Sequence, residues 1–372
     1  MLTLDKVYHA KYVLKPVIRE TDVIHAPKIN PEAQIFLKTE NLQITGSFKV
    51  RGAYYKMSCL SDEEKSKGVI ACSAGNHAQG VALAAKKNGI RAVICLPDGA
   101  PISKVEATKS YGAEVCLVNG VYDDAYAEAL RQRDEYGYTF IHPFDDENVI
   151  AGQGTIGLEL LEQIPDVDAV IVPIGGGGLI SGVAFAVKSL NPNVKVYGVQ
   201  ATGAPSMFNS IKDGKIECLD SVSTIADGIA VKEPGENTFN LVSQYVDEIV
   251  TVTDDEISAA ILALMEQQKL VTEGAGAVSV AAAMFNKVPI KGKKVVCSMN
   301  IELIDKPGQL LEVSRIIAEL GGNVTSIHHE RANEGAAVNG CYLRIVLETR
   351  NYDHIKQIRT ALTEKGFKIV GE

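Results

Sequence analysis

From about residue 35 the chain alternates short apolar runs with amphipathic stretches. The runs at 69–73, 92–96, 114–118, 169–174 and 194–200 predict strands. Between and around them, 48–59, 76–87, 102–110, 122–136, 154–163, 179–190 and 254–269 predict helices. Strands that alternate with helices argue for parallel βαβ units, and a parallel strand is buried on both faces, which explains its continuous apolar run. The expected fold class is α/β.

The end of the chain follows a different order. Residues 300–304 read as a strand and 309–320 as an amphipathic helix stopped by Gly321-Gly322. Strands at 324–331 and 341–348, a helix at 353–365 and a last strand at 367–370 follow. That order is βαββαβ, the ferredoxin-like unit. The joint between the two patterns is KKVVCSMNIELIDKPG, residues 293–308. Its apolar run is long for one strand. It is read as two strands of two domains, 295–297 in the first sheet and about 299–304 in the second. The expected domains are 1–297, with a smaller subdomain at about 45–142, and 298–372.

Composition narrows the function. Charged residues make up 22% of the 372 positions and hydrophobic ones 46%, ordinary globular usage, so the chain has material for a sizeable core. A net charge of −9 argues against binding nucleic acid through its backbone. The seven cysteines, Cys59, Cys72, Cys95, Cys116, Cys218, Cys297 and Cys341, are never at CxxC spacing, and the histidines show no HExxH, so no metal site is expected. The odd cysteine count and the lack of a leader-like start point to a reducing cytoplasm. The stretch between Asp168 and Lys188 is uncharged, but Pro173 and Gly175–Gly178 would break a lipid-exposed helix, so no membrane span is expected.

Three segments carry candidate chemistry. In DAVIVPIGGGGLISG, 168–182, a strand feeds four glycines and a helix. Such glycines let backbone N–H groups close on an anion at a helix N-terminus, and four in a row are entropically costly for a mere tight turn. In VIACSAGNHAQGVALAA, 69–85, a strand meets a helix at Ser73, Asn76 and His77. That junction suits a carboxylate or phosphate, or is a helix capped by Ser73 or Asn76. In TGSFKVRGAYYK, 45–56, Ser47 as a cap would place Lys49 in the first helical turn. A cation there opposes the helix dipole, and a lowered amine pKa is what a Schiff-base lysine needs; alone, Lys49 also reads as a surface lysine. Together, a phosphate cup, a carboxylate cup and an imine lysine are what a pyridoxal-phosphate enzyme acting on an amino acid requires.

TGSFKVRGA, SAGNHAQG, AGQGTIGLEL, GGGGLISG, ADGIAV and TEGAGA stand in the order found in threonine dehydratases, which this chain resembles from about residue 5 to 297. Those are fold-type-II pyridoxal-phosphate lyases with a two-subdomain core. The tail beginning MNIELIDKPGQLL resembles an ACT domain. The combination resembles the catabolic-type enzymes that carry one. The resemblance implies that Lys49 holds the cofactor as a Schiff base and then acts as the base at Cα. It implies that Phe48 packs on the ring and that Asn76 bonds the phenolic oxygen. Gly175, Gly176, Gly177, Gly178 and Leu179 would hold the phosphate. Ser73, Ala74, Gly75, Asn76 and His77 would receive the substrate carboxylate, with Gly228 and Glu273 near the ring. Threonine would yield 2-oxobutanoate and ammonia by β-elimination, and serine would yield pyruvate. An amino-acid effector would bind at Pro307, Gly308, Gln309 and Leu310. A homodimer or homotetramer is the family expectation. Related serine racemases carry Ser where Ala74 stands, which disfavours racemisation. Their metal site needs acids that QATGAPS, 200–206, lacks.

One departure stands out. In that family the strand like KKVVC runs into Ser-Gly-Gly-Asn, whose Ser bonds the pyridine nitrogen, and then into a helix and a linker. Here VVCS runs straight into MNIELIDKPG. The usual nitrogen partner is therefore expected to be absent, with Ser298 or Asn300 as replacements, and cofactor affinity or turnover to be reduced. The alternatives are a degenerate amino-acid-binding homologue with weak or no activity and a serine-preferring dehydratase.

Overall fold

The computed structural model describes residues 2–100, 102–298, 323–331 and 341–348. The chain divides into two compact units, Met1–Leu303 and Ile304–Glu372. In chain order the first unit contains α1 Leu4–Leu14, β1 Val23–His25, β2 Gln34–Lys38, α2 Lys49–Ser58, α3 Asp62–Lys67, β3 Val69–Cys72, α4 Asn76–Asn88, β4 Ala92–Pro97, α5 Ile102–Ser110, β5 Glu114–Val118, α6 Tyr122–Tyr136 and β6 Thr139–Phe140. It continues with α7 Glu147–Gln163, β7 Ala169–Pro173, α8 Gly178–Leu190, β8 Lys195–Ala201, α9 Ser206–Asp213, α10 Glu236–Tyr245, β9 Glu248–Val252, α11 Asp254–Ala263, α12 Gly274–Met284 and β10 Lys294–Ser298.

These strands form two sheets. The smaller has the order β5-β4-β3-β6 and is parallel throughout. The larger has the order β1-β2-β10-β7-β8-β9 and is parallel except for the edge strand β1. Strands β3 and β7 are buried along their whole length, as their unbroken apolar runs require. The last strand among the described residues of the unit, β10, sits inside the larger sheet between β2 and β7. In open parallel sheets ligands bind beyond the carboxyl ends of the strands. Residues 73–75 follow β3, the glycines follow β7 and Ser298 closes β10, so all three stand at such ends.

Helix α7 packs on α2 and on α8 through glycines. A Cβ on Gly152 would lie 2.6 Å from the Cα of Gly52, and one on Gly182 would lie 2.3 Å from the Ile150 carbonyl oxygen. The AGQGTIGLEL motif therefore serves close helix packing, and that packing places the start of α2.

Several expectations shift. The helix expected at 154–163 begins at Glu147, because the Asp146 carboxylate accepts from Asn148 N–H at 2.9 Å and Val149 N–H at 3.1 Å. The helix expected at 254–269 is α-helical only to Ala263, widens into a π turn at Leu264–Gln268 and stops at Lys269, whose φ is 56°. Ser47 does not cap α2: Phe48 occupies that position and the Ser47 hydroxyl is buried without a hydrogen bond. In the second unit, β11 Asn323–Arg331 pairs antiparallel with β12 Cys341–Glu348, as adjacent strands of a βαββαβ unit do. The strand expected at about 299–304, the helices at 309–320 and 353–365, the strand at 367–370 and the effector residues Pro307, Gly308, Gln309 and Leu310 lie outside the described residues.

Candidate active site

Lys49 is the first residue of α2, where its charge faces the positive end of the helix. Its side chain is half-buried, its Nζ donates to the Pro143 carbonyl at 2.9 Å, and it lies 5.3 Å from the centre of the buried Phe48 ring. Burial pushes the amine down to about 8, with the Glu273 carboxylate opposing the shift. Glu273 is itself buried and accepts from Asn76 Nδ2 at 3.0 and 3.3 Å through its two oxygens. A Cβ on the exposed Gly228 would touch Glu273 Oε1 at 3.1 Å. The structure thus joins Asn76, Glu273 and Gly228, which lie far apart in the chain.

The loop after β3 keeps Ser73, Ala74, Gly75 and Asn76 half-buried rather than enclosed. The Ser73 hydroxyl accepts from Gly75 N–H at 3.1 Å, and Gly75 stands at the N-cap of α4 without a side-chain cap, so neither Ser73 nor Asn76 caps that helix. His77 differs from its neighbours. It is 3% exposed and its Nε2 donates to the Ile141 carbonyl at 2.8 Å. Burial and the nearby Lys49 charge push its imidazole down to about 3. The ring is a neutral structural pin.

Gly175–Gly178 turn the chain from β7 into α8, with Gly177 at φ 97° and Leu179 buried behind them. Cβ atoms on Gly176 and Gly178 would strike Phe144, at 2.4 and 2.8 Å. No side chain caps the first turn of α8, so its N–H groups are free of a capping partner. The Thr238 hydroxyl fixes the turn by donating to the Gly176 carbonyl at 2.6 Å. At the end of β10 the Ser298 hydroxyl is buried without a hydrogen bond, while its carbonyl accepts from the Ser279 hydroxyl at 2.6 Å. Ser298, one of the two residues expected to stand in for the nitrogen partner, thus ends β10 with an unpartnered hydroxyl, while the other, Asn300, lies outside the described residues.

Sequence reasoning did not single out His142, Pro143, Phe144, Asp145 or Thr238. A His-Pro step followed by paired aspartates ahead of a helix was the available signal in IHPFDDEN. These residues fit a phosphorylated, imine-forming cofactor. An uncapped glycine turn suits its phosphate, an amine at about 8 suits the imine, and an unpartnered buried hydroxyl suits a ring heteroatom.

That combination of fold and site defines a pyridoxal-phosphate enzyme, and the profile described as "Pyridoxal-phosphate dependent enzyme" matches residues 14–300. The chain belongs to that family, and its cofactor is pyridoxal phosphate. The ACT domain profile matches residues 298–364, so the two matches meet with no linker between them. The L-threonine ammonia-lyase of Thermotoga maritima is 47% identical, with 99% of each chain covered. That alignment runs over 398 positions against 372 residues here, so the relative carries residues with no counterpart in this chain. Among solved structures, maize serine racemase aligns with a TM-score of 0.79 at 37% identity, covering 86% of this chain and 98% of its own. The processed threonine deaminase isoform 2 of Solanum lycopersicum aligns at 0.77 and 39%, covering 85% and 89%.

Proposed function

We propose that this chain is an L-threonine ammonia-lyase that releases 2-oxobutanoate and ammonia by β-elimination and also accepts serine. Lys49 carries the reading: an amine at about 8, half-buried and hydrogen-bonded beside an uncapped glycine turn. The similarity to the Thermotoga maritima L-threonine ammonia-lyase supplies the substrate class. Pyridoxal phosphate, when bound, supplies the electron sink that makes a Cα proton removable. Lys49 anchors it and then takes that proton, a task that needs the neutral amine and is favoured by a pKa near the working pH. The substrate hydroxyl leaves as water, and hydrolysis of the released enamine gives the keto acid.

In this reading Phe48 packs on the ring and Asn76, held by Glu273, meets the phenolic oxygen. Gly175, Gly176, Gly177, Gly178 and Leu179 hold the phosphate, and Gly228 and Glu273 stand at the ring edge. Ser73, Ala74, Gly75 and Asn76 receive the substrate carboxylate. His77 joins them through its main chain, since its ring is committed to Ile141. The Ser298 hydroxyl replaces the expected nitrogen partner. Ala74 has no proton to deliver, which separates this chain from a racemase. Residues 1–297 are the catalytic domain and 298–372 an ACT regulatory domain that takes an amino-acid effector at Pro307–Leu310. A cytoplasmic homodimer or homotetramer completes the reading.

The direct joint favours a second reading, a homologue that keeps the fold with weak turnover. One experiment separates them. The purified chain, supplied with cofactor, is expected to show a visible Schiff-base band and to release 2-oxobutanoate from threonine. Lys49→Ala is expected to abolish the band and lower turnover by about a thousandfold. A band without keto-acid release supports the second reading, and a fully active Lys49→Ala refutes the chemistry.

A further inference from the structure

The segment 141–146 touches His77, Lys49 and the glycine turn, yet none of its residues belongs to a motif that pointed to a site. The His77 ring donates to the Ile141 carbonyl at 2.8 Å, and Lys49 donates to the Pro143 carbonyl at 2.9 Å. Phe144 forms the wall against Gly176 and Gly178. The Asp145 carboxylate accepts from Thr238 N–H at 3.1 Å, and the Thr238 hydroxyl holds the Gly176 carbonyl. Asp146 caps α7 and accepts from Lys56 of α2 at 2.6 Å.

Within the turn, one side-chain atom gathers two of its backbone N–H groups. Nδ1 of His142 accepts two backbone N–H groups, from Asp145 at 2.7 Å and from Phe144 at 3.3 Å. The ring also meets the Phe144 ring edge-on, with centroids 4.7 Å apart. An atom that accepts cannot carry a proton, so the neutral tautomer has its hydrogen on Nε2.

We propose that His142 is a positioning residue: through its Nδ1 it shapes the turn that presents the Pro143 carbonyl to Lys49 and the Phe144 wall to the phosphate cup. The proposal rests on the reading of Lys49 and the glycine turn as the cofactor site. A protonated ring would turn Nδ1 into a donor facing two donors, and the turn would open. The charged and titratable groups around the ring are Lys49 from α2, His77 from α4, and Asp145 and Asp146 from the turn itself. Burial and Lys49 hold the imidazole below its ordinary value against the two aspartates. The closed turn therefore binds fewer protons than the open one. It is favoured above the ordinary histidine pKa of about 6.5 and weakens as pH falls below it.

The test uses the full chain and pyridoxal phosphate, with Kd read from the visible band at several pH values. Asparagine places an acceptor oxygen where Nδ1 stands and does not titrate; leucine keeps bulk and removes the acceptor. His142→Leu is expected to raise Kd about tenfold or more at pH 8, with the melting temperature of the cofactor-free protein close to that of the unaltered chain. His142→Asn is expected to stay within about threefold at pH 8 and to lose affinity less steeply than the unaltered chain between pH 7 and 5. A leucine variant with unaltered Kd overturns the proposal, as does an asparagine variant as defective as leucine. Should the leucine variant fail to fold, the asparagine variant decides alone, and an acid profile that matches the unaltered chain overturns it. The unaltered chain is the control for the parent reading: without a band there, the cofactor site itself is wrong, whereas a band there with failed variants sinks only the role of His142.

Discussion

At the residue scale the site is governed by desolvation set against a few charges. Lys49 falls to about 8 because burial penalises its ammonium more than Glu273 favours it. Glu273→Gln removes the opposing charge, so the Lys49 pKa is expected to fall further. The acid limb of Schiff-base formation should then move to lower pH in an absorbance titration; an upward move would show that Glu273 does not act on the amine by charge. The glycine cup offers a steric test. A Cβ on Gly178 would sit 2.8 Å from the backbone of Phe144, which cannot swing aside as a side chain would. Gly178→Ala is expected to weaken cofactor binding about tenfold or more, measured as Kd from the visible band. At this scale the sequence was informative wherever residue type alone restricts chemistry. Lys49 and the glycines could be singled out. The ring of His77 could not be assigned, because a histidine before a helix reads equally as ligand, cap or pin, and only the Ile141 carbonyl decides among them.

At the element scale, α2 is held by a network with no exposed member. The buried Arg51 guanidinium, two residues after Lys49, donates to Glu40 at 2.8 and 2.9 Å, to Glu159 of α7 at 2.5 and 2.9 Å and to the Thr155 hydroxyl at 3.1 Å. Lys38 of β2 completes it through Glu159 at 2.6 Å and the Thr21 carbonyl at 2.7 Å. Burial opposes each charge, but the partners outweigh it for Arg51 and Glu159: the first is held above and the second below its ordinary range. Lys38 is pulled down by burial despite its carboxylates. Arg51→Met strands two buried carboxylates and is expected to cost roughly 3–5 kcal/mol, read by denaturant unfolding. A loss below about 1 kcal/mol would mean that the network is relaxed or hydrated. The sequence placed strands β3, β4, β5, β7 and β8 within a residue or two because their apolar runs are bounded by turn residues. It did not yield α12, which is buried around its whole circumference and so has no amphipathic period to read. It also missed α1, α3, α9 and α10, which are short or polar, and the strands β1, β2, β6 and β9, whose apolar signal is brief.

At the scale of the whole molecule, acid sensitivity follows from neutral histidines. His77 is held near 3 in the fold against about 6.5 in an unfolded chain. Its contribution is therefore complete above pH 6.5 and is lost progressively as pH falls toward 3. The melting temperature is expected to drop across that window. It should drop less in His77→Gln, whose amide can donate to the Ile141 carbonyl without titrating. Equal acid slopes for the two proteins would assign the sensitivity to other groups. The meeting of the two profile matches at residues 298–300 belongs to this scale as well. Because β10 enters the middle of the larger sheet, residue 298 reaches the carboxyl ends of the strands, where ligands bind, before the chain moves on to the ACT segment.

By itself the sequence determined the α/β class, the glycine turn and the candidate lysine. Each of these depends on local residue type, periodicity or spacing. Tertiary structure alone decided that β10 lies between β2 and β7, that Asn76 meets Glu273 across the site, and that the 141–146 turn binds Lys49 to the glycine cup. Those pairings join groups far apart in the chain, 197 positions for Asn76 and Glu273 and more for Gln34 and Lys294. No local pattern encodes them, because the partners become neighbours only when burial of the sheets brings their ends together.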